Sequence, residues 1–207
     1  MSKFALATLA LACAAALPMS AQAFDVDAGG PFMMRVRAVH IDPANKDTTG
    51  LGLGVSSKTI PEVDFSYFIT QNIAAELILT YPQSHDITSN GATIGSLKEL
   101  PPTLTVQYHF APTSTIRPYV GVGGNYTNFS SVSFNPAVVT ALHPSIAGSS
   151  WGWAVQAGAD VEIGKNLFLN IDVKKVSMST GVYSSGTSVG KLSVDPVLFG
   201  VGVGIHF

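Results

Sequence analysis

The chain closes on Val197-Leu198-Phe199-Gly200-Val201-Gly202-Val203-Gly204-Ile205-His206-Phe207. Its odd positions read Val, Phe, Val, Val, Ile, Phe, and its even ones include Gly200, Gly202, Gly204 and His206. Successive side chains of an extended strand point to opposite faces, so this stretch sets an apolar row against a small or polar row. A soluble sheet would bury the apolar row in a core. A membrane barrel turns it to lipid and keeps the other row in its lumen.

Working back along the chain, the same period of two recurs. Phe32, Met34, Val36 and Ala38 alternate with Met33, Arg35 and Arg37, and Val63, Phe65, Tyr67 and Ile69 with Glu62, Asp64 and Ser66. Ile73, Ala75, Leu77 and Leu79 alternate with Ala74, Glu76 and Ile78, and Leu104, Val106, Tyr108 and Phe110 with Thr103, Thr105, Gln107 and His109. The pattern returns around Val120–Tyr126, Trp151–Val161 and Leu167–Val173. With the terminal stretch these predict eight strands. The links at 70–72, 111–116 and 164–166 are short. Those at 43–59, 83–97, 128–149 and 179–191 are long and rich in Gly, Ser, Thr and Asn. Short turns on one side and long loops on the other are the layout of a bacterial outer-membrane barrel, with both termini periplasmic. The expected fold is therefore all-β: an eight-stranded antiparallel transmembrane barrel. Within the third long loop, Asn135–Leu142 opens on a proline and predicts one or two helical turns. Gly50-Leu51-Gly52-Leu53-Gly54 lacks the Lys-Ser/Thr ending of a phosphate loop and reads as a flexible outer loop.

The N-terminus supports export. Met1-Ser2-Lys3 precedes an apolar run from Phe4 to Leu17, then Ala21-Gln22-Ala23, so residues 1–23 read as a signal peptide removed before Phe24. Residues 24–207 then form one barrel domain. Cys13 is the single cysteine and sits in the leader behind a poor lipobox, so the mature chain has no disulfide, thiolate metal site or cysteine nucleophile. Only 12% of residues are charged, against about a quarter in soluble proteins. A bilayer leaves no water for backbone groups, so a chain without spanning helices crosses it as a closed barrel. The net charge of −2 and the lack of a basic run argue against nucleic acid.

The lumen row carries Arg35, Arg37, Glu62, Asp64, Glu76, Gln107, His109, Asp160, Glu162, Asp172 and Lys174. An eight-stranded barrel is just wide enough for side chains to fill it. Buried charges there must pair, so the mixed signs predict a polar plug of salt bridges near the periplasmic turns. A catalytic carboxylate pair is the rival reading of the same residues. Nearer the outside, Ile78 and Leu100 are apolar and of inward parity. Pro82, Pro101, Pro102 and Pro196 fall towards outer strand ends, where proline cannot donate to the ladder. They either simply end strands or leave a lateral gap in the wall. The five histidines lack metal-ligand spacing, and no cofactor or metal is expected.

Several stretches together resemble the outer-membrane protein W (OmpW) family. They are Phe32-Met33-Met34-Arg35, Asn72-Ile73-Ala74-Ala75-Glu76-Leu77, Leu100-Pro101-Pro102-Thr103-Leu104, Arg117-Pro118-Tyr119-Val120-Gly121-Val122-Gly123 with Asn125-Tyr126-Thr127, Ser150-Trp151-Gly152, and Asp195-Pro196 before Phe207. The terminal Phe207 is also similar to the signal read by the barrel-assembly machinery. The resemblance implies a narrow apolar channel, open outside and blocked below, lined at Ile78, passing small hydrophobic solutes sideways into outer-membrane lipid and lipopolysaccharide. Val173-Lys174-Lys175-Val176 departs from relatives that carry bulky aromatics there, which bears on the channel's floor. The rivals are a structural barrel whose outer loops bind phage, host surface or antibody, a lipid-acting barrel enzyme, and a soluble β-sandwich.

Overall fold

The computed structural model describes residues 30–207; the leader, its cleavage site and Cys13 lie outside them. In chain order the strands are β1 (Phe32–Asp42), β2 (Lys46–Asp47), β3 (Leu53–Val55), β4 (Lys58–Phe68), β5 (Ile73–Leu79), β6 (Gln83–Ser89), β7 (Ala92–Leu100), β8 (Thr103–His109), β9 (Ile116–Phe134), β10 (Pro144–Ile146), β11 (Ser149–Gly164), β12 (Leu167–Val176), β13 (Ser179–Ser184), β14 (Thr187–Ser193) and β15 (Val197–His206). A short helix, α1 (Pro136–Leu142), lies between β9 and β10.

Eight of these strands form the barrel: β1, β4, β5, β8, β9, β11, β12 and β15, each antiparallel to the next. β15 then pairs with β1 from Met33↔His206 to Asp42↔Val197 and closes the sheet on itself. Closure removes the two edges whose unpaired backbone groups could not be satisfied in lipid. At the bottom of that seam the backbones of Phe32 and Phe207 exchange hydrogen bonds of 3.1 and 2.8 Å, and their rings stack at 6.0 Å. Phe207 thus fixes the register in which the first and last strands meet.

The outward row is what a lipid solvent demands. Leu104, Val106, Val122, Ile171 and Val201 are each more than half exposed. Around the periplasmic end sit Phe32, Tyr67, Tyr108 and Phe110, and towards the outer end Tyr126 packs on Trp151 at 4.8 Å. Such aromatic belts mark the two membrane–water boundaries.

The glycine row of β15 has a structural reason. Arg35, Arg37 and Met33 lie across it, and a Cβ at Gly202 would meet Arg37 Cγ at 2.7 Å while one at Gly204 would meet Arg35 Cγ at 3.0 Å. The small residues make a bed for two arginines.

The long connections are not irregular loops but carry strands of their own. β6 and β7 form a hairpin that continues the wall against upper β9, from Leu100↔Asn128 to Gly95↔Phe134. The Gly50–Gly54 stretch turns on Gly50 and Gly52, at φ 76° and 62°, and then runs into β3, which pairs with β6. β10, β13, β14 and β2 make a second small sheet. Leu53, Val55, Ile87, Leu97, Phe129, Met178, Val182, Leu192 and Val194 pack together as a buried apolar core among these elements. Most of these apolar residues alternate with polar ones or with glycine, so short strands hide inside segments that read as hydrophilic. The helical turns expected over 135–142 are present as α1, which buries none of its residues.

Candidate functional site

The lumen is built in layers. At the periplasmic end Met33, Phe68, Ala74 and Phe168 cluster, with the rings of His109 and His206 at 4.9 and 5.0 Å from Phe68. Arg117 stacks over Phe168 at 4.7 Å. A void of about 10 Å³ remains between these side chains, too little to hold more than about one water.

Above this layer lies the polar plug. Arg35 aligns its fork with Asp160, Nε to Oδ1 at 2.9 Å and Nη2 to Oδ2 at 2.7 Å. Its Nη1 donates to Asp64 at 3.1 Å and to Ser66 Oγ at 2.9 Å. Arg37 approaches Glu62 at 3.0 Å, Asp64 at 2.7 Å and Glu76 at 3.3 Å. Its Nε and the Asp64 Oδ2 it faces are off hydrogen-bond geometry, so those two approaches act through charge alone. Glu76 also accepts from Thr105 and Gln156, Asp172 from the Tyr119 hydroxyl at 2.9 Å, and Lys174 spans both oxygens of Glu62 at 3.2 Å. Bidentate, multiply bonded pairing of this kind is what makes buried charges tolerable.

Of the eleven residues expected in the plug, Arg35, Arg37, Glu62, Asp64, Glu76, Gln107, His109, Asp160, Asp172 and Lys174 are all buried, His109 in the aromatic layer below the ion pairs. The plug lies directly above the aromatic layer, three to six residues from the periplasmic ends of β1, β4 and β5. One correction follows. Glu162 is not part of the plug: it lies on the lowest stretch of β11 beside a register shift, its side chain 40% exposed and paired with Arg117 at 3.0 Å. Ser66, Thr105, Tyr119, Gln156 and Asn170 complete the network and share the inward parity that would have identified them.

Over the plug the wall turns apolar. Ile41, Ile60, Ile78, Leu79, Val176, Met178, Pro196 and Leu198 line a pocket of about 30 Å³, with Glu62 and Lys174 in its floor and Glu99, Thr103 and Asn125 at its sides. Ile78 occupies the expected position, 4% exposed. Leu100 does not. Along β7 the inward positions are Gly95, Leu97 and Glu99, so Leu100 turns away and Glu99 takes the lumen side. The register against β9 runs unbroken through Pro101-Pro102, from Leu100↔Asn128 to Thr103↔Asn125, so Leu100 shares the outward parity of Leu104 and Val106 while Glu99 shares the inward parity of Thr103. Glu99 stands on the extracellular hairpin; burial raises its carboxyl above the usual range, opposed by His85.

The prolines divide. Pro101 and Pro196 line the pocket, whereas Pro82 is exposed and Pro102 is half-buried outside its lining. At Pro196 the wall is closed, because Val176 N–H donates to its carbonyl at 3.1 Å. At Pro102 the β9 side is closed in the same way by Tyr126 N–H at 3.1 Å. The weak seam is one strand over. The β4–β5 ladder ends at Val63↔Leu79, and the β5–β8 ladder at Ile78↔Thr103. Above those points no ladder pair among the described residues joins 58–62 of β4 to the β5–β6 junction. Single contacts bridge it instead: Thr80 hydroxyl to Pro61 O at 3.0 Å and Lys58 Nζ to Ser84 O at 3.1 Å. Pro61, which has no N–H to offer, sits in the middle of this stretch.

Comparison with known proteins places this architecture. The OmpW family model matches residues 28–207, and the chain belongs to that family. It is 35% identical to outer membrane protein W of Vibrio cholerae, over 86% of this chain and 89% of the relative. It is 27% identical to the dibenzothiophene metabolism operon protein PahQ of Pseudomonas aeruginosa, over 70% and 69%. The crystal structure of OprG from Pseudomonas aeruginosa superposes with a TM-score of 0.76 at 25% identity, covering 86% of this chain and 96% of OprG. The protein is an outer-membrane β-barrel.

Proposed function

We propose that this OmpW-family barrel is a passive route by which small hydrophobic molecules enter from outside and leave sideways into the outer membrane. The observation that carries the reading is the juxtaposition of an apolar pocket, a charged floor and an unladdered seam. Ile41, Ile60, Ile78 and Leu198 offer an apolar solute a surface. The plug beneath would make it shed its hydrophobic contacts to pass among buried ion pairs. The adjacent seam between β4 and the β5–β6 junction is held by isolated side-chain contacts, which part at lower cost than a ladder. The pocket's roughly 30 Å³ holds about two waters, so passage requires the seam to breathe. PahQ, whose name ties it to dibenzothiophene metabolism, is a relative in keeping with apolar cargo.

Each plug carboxylate is taken up by an arginine, lysine or tyrosine, which suits a structural stopper better than a catalytic pair. No cofactor is part of the reading. Phe207, at the closing seam, is the position proposed to be read by the barrel-assembly machinery, and lipid and lipopolysaccharide surround the belt. A second reading, in which the outer surface docks phage or host, is favoured by the exposed Val139 and Leu142 of α1.

The test is uptake of a small apolar fluorescent solute by cells lacking the native protein, complemented with wild type or Ile78→Lys at matched levels of heat-modifiable barrel. Wild type should speed uptake and Ile78→Lys should return it to the uncomplemented rate. Equal uptake in all three strains would remove the transport reading and leave the docking one.

A further inference from the structure

The polar groups lining the pocket satisfy one another, with one exception. The Thr80 hydroxyl donates to Pro61 O at 3.0 Å. The Thr103 hydroxyl donates to Pro101 O at 3.2 Å and accepts from Asn125 Nδ2 at 2.8 Å. Asn125 Oδ1 accepts from Thr127 at 2.8 Å, and Lys174 is committed to Glu62. Glu99 is 5% exposed and faces the same pocket, yet its carboxylate accepts no hydrogen bond from any described residue. Its ion-pair neighbour is His85, whose Nε2 stands 3.5 Å away and makes no hydrogen bond, and Gln83, its partner across the ladder, gives its amide to Thr80 and Tyr81 instead.

Only a protonated imidazole could serve as that donor. His85 Nδ1 is 2.9 Å from the carbonyl oxygen of Ser56. A carbonyl only accepts, so Nδ1 carries the hydrogen, and in the neutral ring Nε2 is then a lone-pair acceptor turned towards another acceptor. With no donor among the described residues, a carboxylate so little exposed must take its hydrogen bonds from whatever occupies the pocket. What would satisfy it is an O–H group arriving from the pocket side.

We propose that Glu99 is a specificity-determining residue of the pocket, accepting a hydrogen bond from the hydroxyl of an apolar solute. The favoured cargo is then a small apolar molecule bearing one hydroxyl, such as an alkylphenol, in preference to a bare hydrocarbon or an ether. The inference rests on the pocket being the solute's route. In the bound arrangement the hydroxyl points at Glu99 and the apolar body lies on Ile41, Ile60 and Ile78. An ammonium group would meet the same carboxylate, but stripping water from a second charge in apolar walls offsets the attraction. A neutral hydroxyl forms a charge-assisted bond with far less desolvation.

The experiment uses the protein in lipid nanodiscs at pH 8, with its isoleucine methyl groups followed by NMR. The probes are 4-ethylphenol and 4-ethylanisole, which differ in that the ether cannot donate. In wild type both should shift the Ile41, Ile60 and Ile78 methyls, and the phenol should bind about tenfold more tightly although the ether is the more apolar. Glu99→Leu should abolish that preference or reverse it while keeping ether binding, and Glu99→Gln should fall between. Equal affinities in wild type, or a preference unchanged in Glu99→Leu, would overturn the role of Glu99 and leave the pocket as a solute site. If neither probe moves those methyls in wild type, both the inference and the transport reading fall.

Discussion

Replacing Arg35 by Met should be among the most damaging single substitutions in this barrel. The side chain is fully buried and makes four hydrogen bonds, two to Asp160, one to Asp64 and one to Ser66. Three buried cations, Arg35, Arg37 and Lys174, face five buried carboxylates, Glu62, Asp64, Glu76, Asp160 and Asp172. Losing one cation leaves two against five. Removing one partner of a buried pair costs about 3–5 kcal/mol, because the other charge stays uncompensated, and the existing excess of carboxylates puts Arg35→Met near the upper end. The measurement is urea-driven unfolding in lipid vesicles followed by tryptophan fluorescence. Trp151 and Trp153 stand on the lipid face, 80% and 53% exposed, and lose that environment on unfolding. Asp160→Asn combined with Arg35→Met should recover about 1–3 kcal/mol relative to additivity. A single substitution that shifts stability by less than about 1 kcal/mol, where buried-pair loss predicts several, would refute the idea that the plug is held by charge. Strict additivity would refute the coupling between Arg35 and Asp160.

Two further outcomes are expected. Gly202→Ala would drive a methyl into the carbonyl oxygen of Val36 and to 2.7 Å from Arg37 Cα, which are backbone atoms of the neighbouring strand, so the urea midpoint should fall by the equivalent of about 1–3 kcal/mol. Gly200→Ala, whose nearest neighbour is the flexible Arg37 Cδ at 3.3 Å, should cost clearly less. At Asp47, partial burial raises the carboxyl pKa, but hydrogen bonds from the Thr49, Leu53 and Gly52 backbone and the Thr49 hydroxyl outweigh it and hold the group below the usual aspartate range. A depressed folded value means that this carboxylate's contribution to the outer turn is complete above its unfolded pKa and is lost as pH falls through the folded one. The Leu53 amide, donating to Asp47 at 3.0 Å, should therefore show an NMR titration midpoint below that of a free aspartate. A midpoint at or above it would contradict the turn as drawn.

Much of this protein was legible in its residues because a barrel obeys one local rule. Alternation is a property of each strand by itself, so parity alone sorted Arg35, Glu76 and Asp160 inwards and Val36, Leu77 and Val161 outwards. It did so before any strand was paired. The alternation of short and long links gave the strand count and the side on which the termini fall. Where the rule failed, it failed for identifiable reasons. Glu162 has inward parity but lies at the periplasmic mouth, where water reaches it; parity reports direction and not depth. At Leu100 the rule itself holds: the register against β9 is unbroken from Thr103↔Asn125 to Leu100↔Asn128, so Leu100 has the outward parity of Leu104 and it is Glu99 that counts inwards.

What the residues alone determined was the class of environment: an apolar row that needs lipid, a polar row that needs pairing, and a chain end that closes the sheet. What only the tertiary structure decided was how the layers stack. Which carboxylate meets which arginine depends on the stagger between strands as distant as β1 and β11, 125 positions apart at the Arg35–Asp160 pair. The same stagger sets Ile78 opposite Ile41 and Ile60, turns Glu99 into the pocket, and leaves 58–62 of β4 without a ladder partner on its β5 side. The folded outer layer was hidden for the same reason. Its strands are two to nine residues long, and segments so short acquire a stable partner only when the barrel below brings them together.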